Sequence, residues 1–191
     1  MTNESKALAH LHEVAATLDG AGMSWAVFAG AAASVYGADR PLTDLDILVP
    51  AREGERLKTL FPNSEVVFEH DILCLALPDV DLLAGLGTMD LDAEMAARVT
   101  HHEIGGIGVP VIPPEDNILL KAMMGRGADQ GKHDWEDVEA MMAFVPSLDW
   151  AYLRWRAGML DEVEKAQEVM GRLEQIWQKR QEMEEGTGEQ D

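Results

Sequence analysis

The chain has 191 residues, 47% of them hydrophobic, enough for one ordinary domain core with a helical extension. Thirty-five acidic residues against fifteen basic ones give a formal net charge of −20, which argues against a broad nucleic-acid-binding face because such a surface repels phosphate. One cysteine, Cys74, excludes an internal disulfide; no apolar run nears the roughly 20 residues that cross a bilayer, and the opening Met-Thr-Asn-Glu-Ser-Lys lacks a secretory pattern, so a cytoplasmic protein without membrane contact is expected.

Residues 4–18 repeat Leu8, Leu11, Val14, Ala15 and Leu18 at helical spacing, and Asp19-Gly20-Ala21-Gly22 stops them. Trp25–Ala29 reads as a short buried strand and Gly30–Tyr36 as a small-residue helix packed against it, closed by Gly37. Thr43–Val49 alternates: Leu45, Ile47 and Val49 share one face, Asp44, Asp46 and Leu48 the other, and Pro50 ends the strand. A helical pattern resumes over 51–60. Strands are expected at 65–69, 72–77 and 80–83, with Cys74 a buried core thiol in the second. Residues 91–98 read as helical, and 99–104 with 107–112 as a hairpin turning at Gly105-Gly106. Helices follow from Pro114 and from His133 to Phe144. A stripe of Val163, Met170, Leu173 and Trp177 marks a long charged helix, suited to packing or to homo-oligomerisation, and residues 184–191 read as a disordered acidic tail. Three segments result: an α/β core over 1–112, a helical segment over 113–157, and an amphipathic helix with its tail over 158–191.

Chemistry is concentrated at Asp44 and Asp46. Residues two apart in a strand point to the same side, so two carboxylates project together from an otherwise apolar strand, where a divalent cation relieves both repulsion and lost hydration. Gly30 stands where a strand meets a helix, letting backbone approach a ligand near N–H groups that suit phosphate. By contrast, His101-His102-Glu103 cannot chelate one ion, since adjacent strand residues face opposite ways, and Trp150, Tyr152, Trp155 and Trp177 have the spacing of packing residues.

Gly30, thirteen intervening residues and then Asp-Leu-Asp in an apolar strand resemble the motif of the nucleotidyltransferase superfamily, with the DNA polymerase β-like fold. The stretch Gly-Ala-Ala-Ala…Gly…Arg-Pro-Leu-Thr-Asp-Leu-Asp-Ile-Leu-Val is similar to minimal nucleotidyltransferase-like proteins, a group that includes AbiEii-type toxins and lincosamide and aminoglycoside nucleotidyltransferases. Asp79-Val80-Asp81 and the segment from Pro113 to Val138 extend the likeness to residues 25–142. The resemblance implies an α/β fold of mixed sheet flanked by helices, with a C-terminal helical segment. It implies that Asp44 and Asp46 ligate Mg²⁺ or Mn²⁺ and that Asp81 completes the site, orienting or deprotonating the attacking hydroxyl. A nucleoside triphosphate would meet Gly30, Ala31, Arg40 and Lys121. Ala31 departs from the Gly or Ser usual there and offers no hydroxyl, and Ser34 lies one turn on. The expected activity is transfer of NMP to a hydroxyl with release of pyrophosphate; the alternative is a catalytically silent protein of that fold, acting as a nucleotide-binding or regulatory, toxin–antitoxin-like partner.

Overall fold

The computed structural model describes residues 3–39, 42, 44–69 and 72–187. They divide into two compact units, one of residues 1–35 and 39–113 and one of residues 36–38 and 114–191.

The first unit holds α1 (Asn3–Gly20), β1 (Ala26–Phe28), α2 (Ala29–Val35), β2 (Leu45–Val49), α3 (Gly54–Leu60), β3 (Glu65–Glu69), β4 (Ile72–Leu77), β5 (Val80–Ala84), α4 (Ala93–Ala96), β6 (Thr100–Ile104) and β7 (Ile107–Val111). The strands form one mixed sheet in the order β3-β4-β5-β2-β1-β7-β6. β2 runs parallel to β5 and antiparallel to β1, β1 runs parallel to β7, and the remaining pairs are antiparallel. Alternation decides which face is buried. Leu45, Ile47 and Val49 share a side with Val80, Leu82, Leu73 and Leu75, and this side is sealed. A Cβ on Gly54 would come within 2.9 Å of Leu73, so α3 starts in close contact with this side. The other side carries the fully buried Leu48 and, less completely covered, Asp46, Asp81, Leu83 and Cys74. Cys74 is thus a half-buried thiol on the less covered face; strand alternation alone assigns a face but not what covers it.

The hairpin β6–β7 forms as expected, because Gly105 and Gly106 take φ of 57° and 84°, the pair of positive angles that a two-residue turn matched to strand twist requires. Leu8 of α1 packs so close to Gly105 that a Cβ there would lie 2.4 Å from its side chain.

The second unit contains α5 (Pro114–Met124), α6 (Asp134–Phe144), α7 (Trp150–Ala157) and α8 (Val163–Thr187). α7 falls within the helical segment expected over 113–157, although its bounds were not delimited, since its apolar period is broken by Arg154 and Arg156. Asp149 caps it by accepting from Tyr152 N at 3.0 Å, and Glu115 accepts from Asp149 N at 2.8 Å. The carbonyls of Met142 and Val145, at the end of α6, accept from Arg180 of α8 at 2.6 and 2.5 Å, so a cation meets the negative helix end. Residues 184–187, expected as part of a disordered tail, belong to α8, and 188–191 lie outside the described residues. Among the described residues no helix is long and apolar enough to cross a membrane.

Asp116 and Arg156 are each 0% exposed, with Arg156 Nε 2.9 Å from Asp116 Oδ1. Tyr152 donates to Asp116 Oδ2 at 2.6 Å and accepts from Arg156 Nη2 at 2.9 Å. Burial and the Asp116 carboxylate together hold the Tyr152 hydroxyl well above its ordinary range, so it stays a donor.

Candidate active site

β2 and β5 are in register, and Asp46 stands directly beside Asp81. Strand spacing puts their backbones about 4.8 Å apart. Across β1 the neighbour of Asp46 is Phe28, and beyond Asp81 the row continues to Ala76 and Glu65. Asp46 and Asp81 are both half-buried, on central strands that are otherwise apolar. Asp44 is exposed and immediately precedes β2, which begins at Leu45. Among the described residues no three His, Cys, Asp or Glu side chains are gathered tightly enough to enclose a metal ion. The chemistry available is therefore that of an adjacent carboxylate pair with a third acid at its margin. Such a set fits an ion that keeps several positions for water and phosphate oxygens, as Mg²⁺ does.

The register also separates Asp81 from Asp79. Asp79 occupies the turn before β5, in a left-handed conformation with φ of 63°. Its carbonyl accepts from Leu45 N at 3.1 Å, tying the turn to the start of β2, and its carboxylate lies 3.4 Å from His10 Nδ1 of α1. Neither His10 nor the turn was marked by the sequence, because their pairing is non-local.

At the other side of the row, the residue after Phe28 is also strained. Ala29 has φ of 53° and is buried, at the point where β1 passes into α2. The positive angle that glycine tolerates thus falls on Ala29 and not on Gly30. Gly30 is exposed, and a Cβ on it would meet nothing within 4 Å. Of the two positive-φ residues other than glycine among those described, Asp79 adjoins β5, which carries Asp81, and Ala29 adjoins β1, which pairs with β2; strain of this kind persists where surroundings enforce it. Replacing Ala29 by glycine is expected to raise stability by roughly 0.5–1 kcal/mol, the left-handed penalty less the added chain entropy. Urea denaturation measures it, and an unchanged or lower midpoint would refute strain at this residue.

Ala31 is buried at 1% exposure. The Ser34 hydroxyl donates to the Gly30 carbonyl at 3.2 Å, so it serves the helix's own backbone. Arg40 lies outside the described residues. Lys121, in the second unit, is 4% exposed, with its ammonium 3.1 Å from Asp134 and 2.8 Å from Asp137. Arg126 adds a side-chain bond of 2.9 Å and a backbone bond of 3.0 Å to Asp134. Lys121, expected to meet the triphosphate, thus sits in a buried ionic cluster.

Burial raises the Asp134 carboxyl, but the Arg126 hydrogen bond and the Lys121 charge outweigh it and hold the group below its ordinary value of 3.8. A depressed carboxyl contributes stability that is complete above the unfolded value and lost as pH falls through the folded one. Stability should therefore drop in acid below 3.8, and Asp134→Asn should be less stable at pH 7 with a flatter acid limb. Acid titration followed by circular dichroism tests this; an equally steep limb in the variant would refute it.

No family model matches the sequence, and no curated protein does so significantly. Solved structures do match. A Thermotoga maritima protein described as a nucleotidyltransferase superposes with a TM-score of 0.51 at 17% identity, covering 66% of this chain and 89% of its own. The antibiotic-resistance factor ANT(2'')-Ia superposes with a TM-score of 0.53 at 16% identity, covering 96% of this chain and 99% of its own. At such identities the likeness is one of fold, and the chain has the nucleotidyltransferase fold that residues 28–49 led one to expect.

Proposed function

We propose that the chain is a metal-dependent nucleotidyltransferase that moves NMP from an NTP to a hydroxyl acceptor and releases pyrophosphate. The carrying observation is the register of Asp46 beside Asp81 within this fold. Asp46 and Asp81 would hold Mg²⁺ or Mn²⁺, with Asp44 beside them. When bound, the ion polarises phosphate oxygens and offsets the charge of the departing pyrophosphate. In this reading Asp81 also orients the acceptor hydroxyl or takes its proton, as the hydroxyl oxygen bonds to the α-phosphorus and the bond to pyrophosphate breaks. Backbone at Gly30 and Ala31 would receive the triphosphate, and Arg40 is the cation proposed to bind it. The open space around Gly30 supports close approach there.

A second reading, nucleotide binding without transfer in a regulatory role, is favoured by the absence of a hydroxyl at Ala31 and the engagement of Lys121 by two carboxylates. The deciding experiment supplies each α-labelled NTP, with Mg²⁺ or Mn²⁺, to a cell extract containing RNA, protein and metabolites. Label transferred by the wild type and lost in Asp44→Asn/Asp46→Asn establishes the transferase and its acceptor class. Binding of nucleotide without any incorporation overturns it in favour of the second reading.

A further inference from the structure

β3 forms one lateral edge of the sheet. Its inner side is fully used: it pairs with β4 residue for residue, from Glu65 with Ala76 to Glu69 with Ile72, with no bulge. Among the described residues no strand pairs with its outer side. An open edge presents backbone N–H and C=O groups ready to join another strand, and proteins ordinarily blunt it with charge, proline or a bulge. The opposite edge obeys this rule, since β6 exposes Thr100, His101 and Glu103. β3 does not. Val66, Val67 and Phe68 are 50%, 37% and 65% exposed. Successive strand residues face opposite sides, so apolar surface flanks the edge above and below. Lys58 of α3 stands 5.3 Å from the Phe68 ring and is itself paired with Glu55, which steadies the ring and leaves it exposed.

We propose that β3 is a docking edge for an extended segment of another protein, apolar at its centre and flanked by Lys or Arg. Charge decides between this occupant and a second copy. The apolar triplet is bracketed by Glu65 and Glu69. Two copies paired antiparallel about Val67 would set each Glu65 opposite a Glu69, and like charges directly opposed destabilise a ladder. Two chains of net charge −20 also repel each other at long range. A strand with basic residues at those positions turns both effects into attraction, while main-chain hydrogen bonds supply the common grip. The inference is independent of the transferase reading.

The test is a selection of displayed random heptapeptides on the full chain, followed by titration of the winners. The expected winners carry apolar residues flanked by Lys or Arg, and their binding slows amide exchange in β3. Glu65→Lys should weaken them by about five- to tenfold, and Phe68→Lys should abolish binding. Phe68 is mostly exposed, so this variant should keep the wild-type melting temperature, which confirms that it folds. Winners without basic flanks, winners bound equally by Phe68→Lys, or no enrichment would each overturn the proposal. A dimer in sedimentation that Phe68→Lys dissociates would overturn it too, by assigning the edge to a second copy.

Discussion

Asp46→Asn is expected to lose nucleotidyl transfer by on the order of 10³-fold or more while unfolding at an unchanged or higher temperature. A metal-held phosphoryl transfer draws several kcal/mol from the ion, and each 1.36 kcal/mol is tenfold in rate. The same carboxylate has Asp81 as its immediate cross-strand neighbour, and like charges at that separation repel, so its removal takes one repulsion out of the resting fold. Asparagine keeps the shape and removes one of the two charges. Activity and stability should therefore move in opposite directions, which damage to folding cannot mimic. Asp81→Asn should behave alike. Transfer rates and calorimetric melting on the same preparations provide the check. Activity kept within tenfold would remove Asp46 from the reaction, and a lowered melting temperature would make its role structural.

In the helical unit the largest effect is expected at Asp116. Truncation to alanine leaves the fully buried Arg156 without its carboxylate and Tyr152 without its acceptor, at a cost of about 3–5 kcal/mol. Natural domains hold about 5–15 kcal/mol in all, so the variant should be marginal or unfolded at 37 °C. A double variant, Asp116→Leu with Arg156→Met, separates the cause: matched apolar replacement of a buried pair is often neutral, so stability should largely return. A loss below about 1 kcal/mol in urea titration of Asp116→Ala would mean that water or backbone already compensates Arg156.

How much the sequence disclosed follows from the range of each interaction. The alternation of Leu45, Ile47 and Val49 against Asp46 is local, and so is the double glycine of the β6–β7 turn; both were legible, although β2 begins one residue after Asp44. That Asp81 and not Asp79 would stand beside Asp46 depends on a parallel pairing across 35 positions, which single-chain patterning ranks only weakly. The bounds of helix α7 within the expected helical segment were blurred because Arg156 sits on its buried face, where an apolar residue would have completed the period. The pairing of Lys121, expected to meet the nucleotide, with Asp134 and Asp137 was not legible because those partners lie 13 and 16 residues on, beyond the reach of helical neighbour rules. The strain at Ala29 left no mark at all, since residue identity carries no record of φ where alanine holds a position that glycine would occupy more easily.

The path of the chain has a consequence for how this protein can be divided or recombined. Residues 36–38 belong to the helical unit, with Gly37 so near Phe144 that a Cβ would fall 2.4 Å from it, although the segments on either side of them in sequence belong to the unit that holds the sheet. A single cut after Pro113 therefore separates neither unit cleanly: it leaves the amino-terminal fragment holding three residues that belong with the other piece. Exchange of the helical unit between related proteins would have to carry two segments of gene, one of them only three codons long.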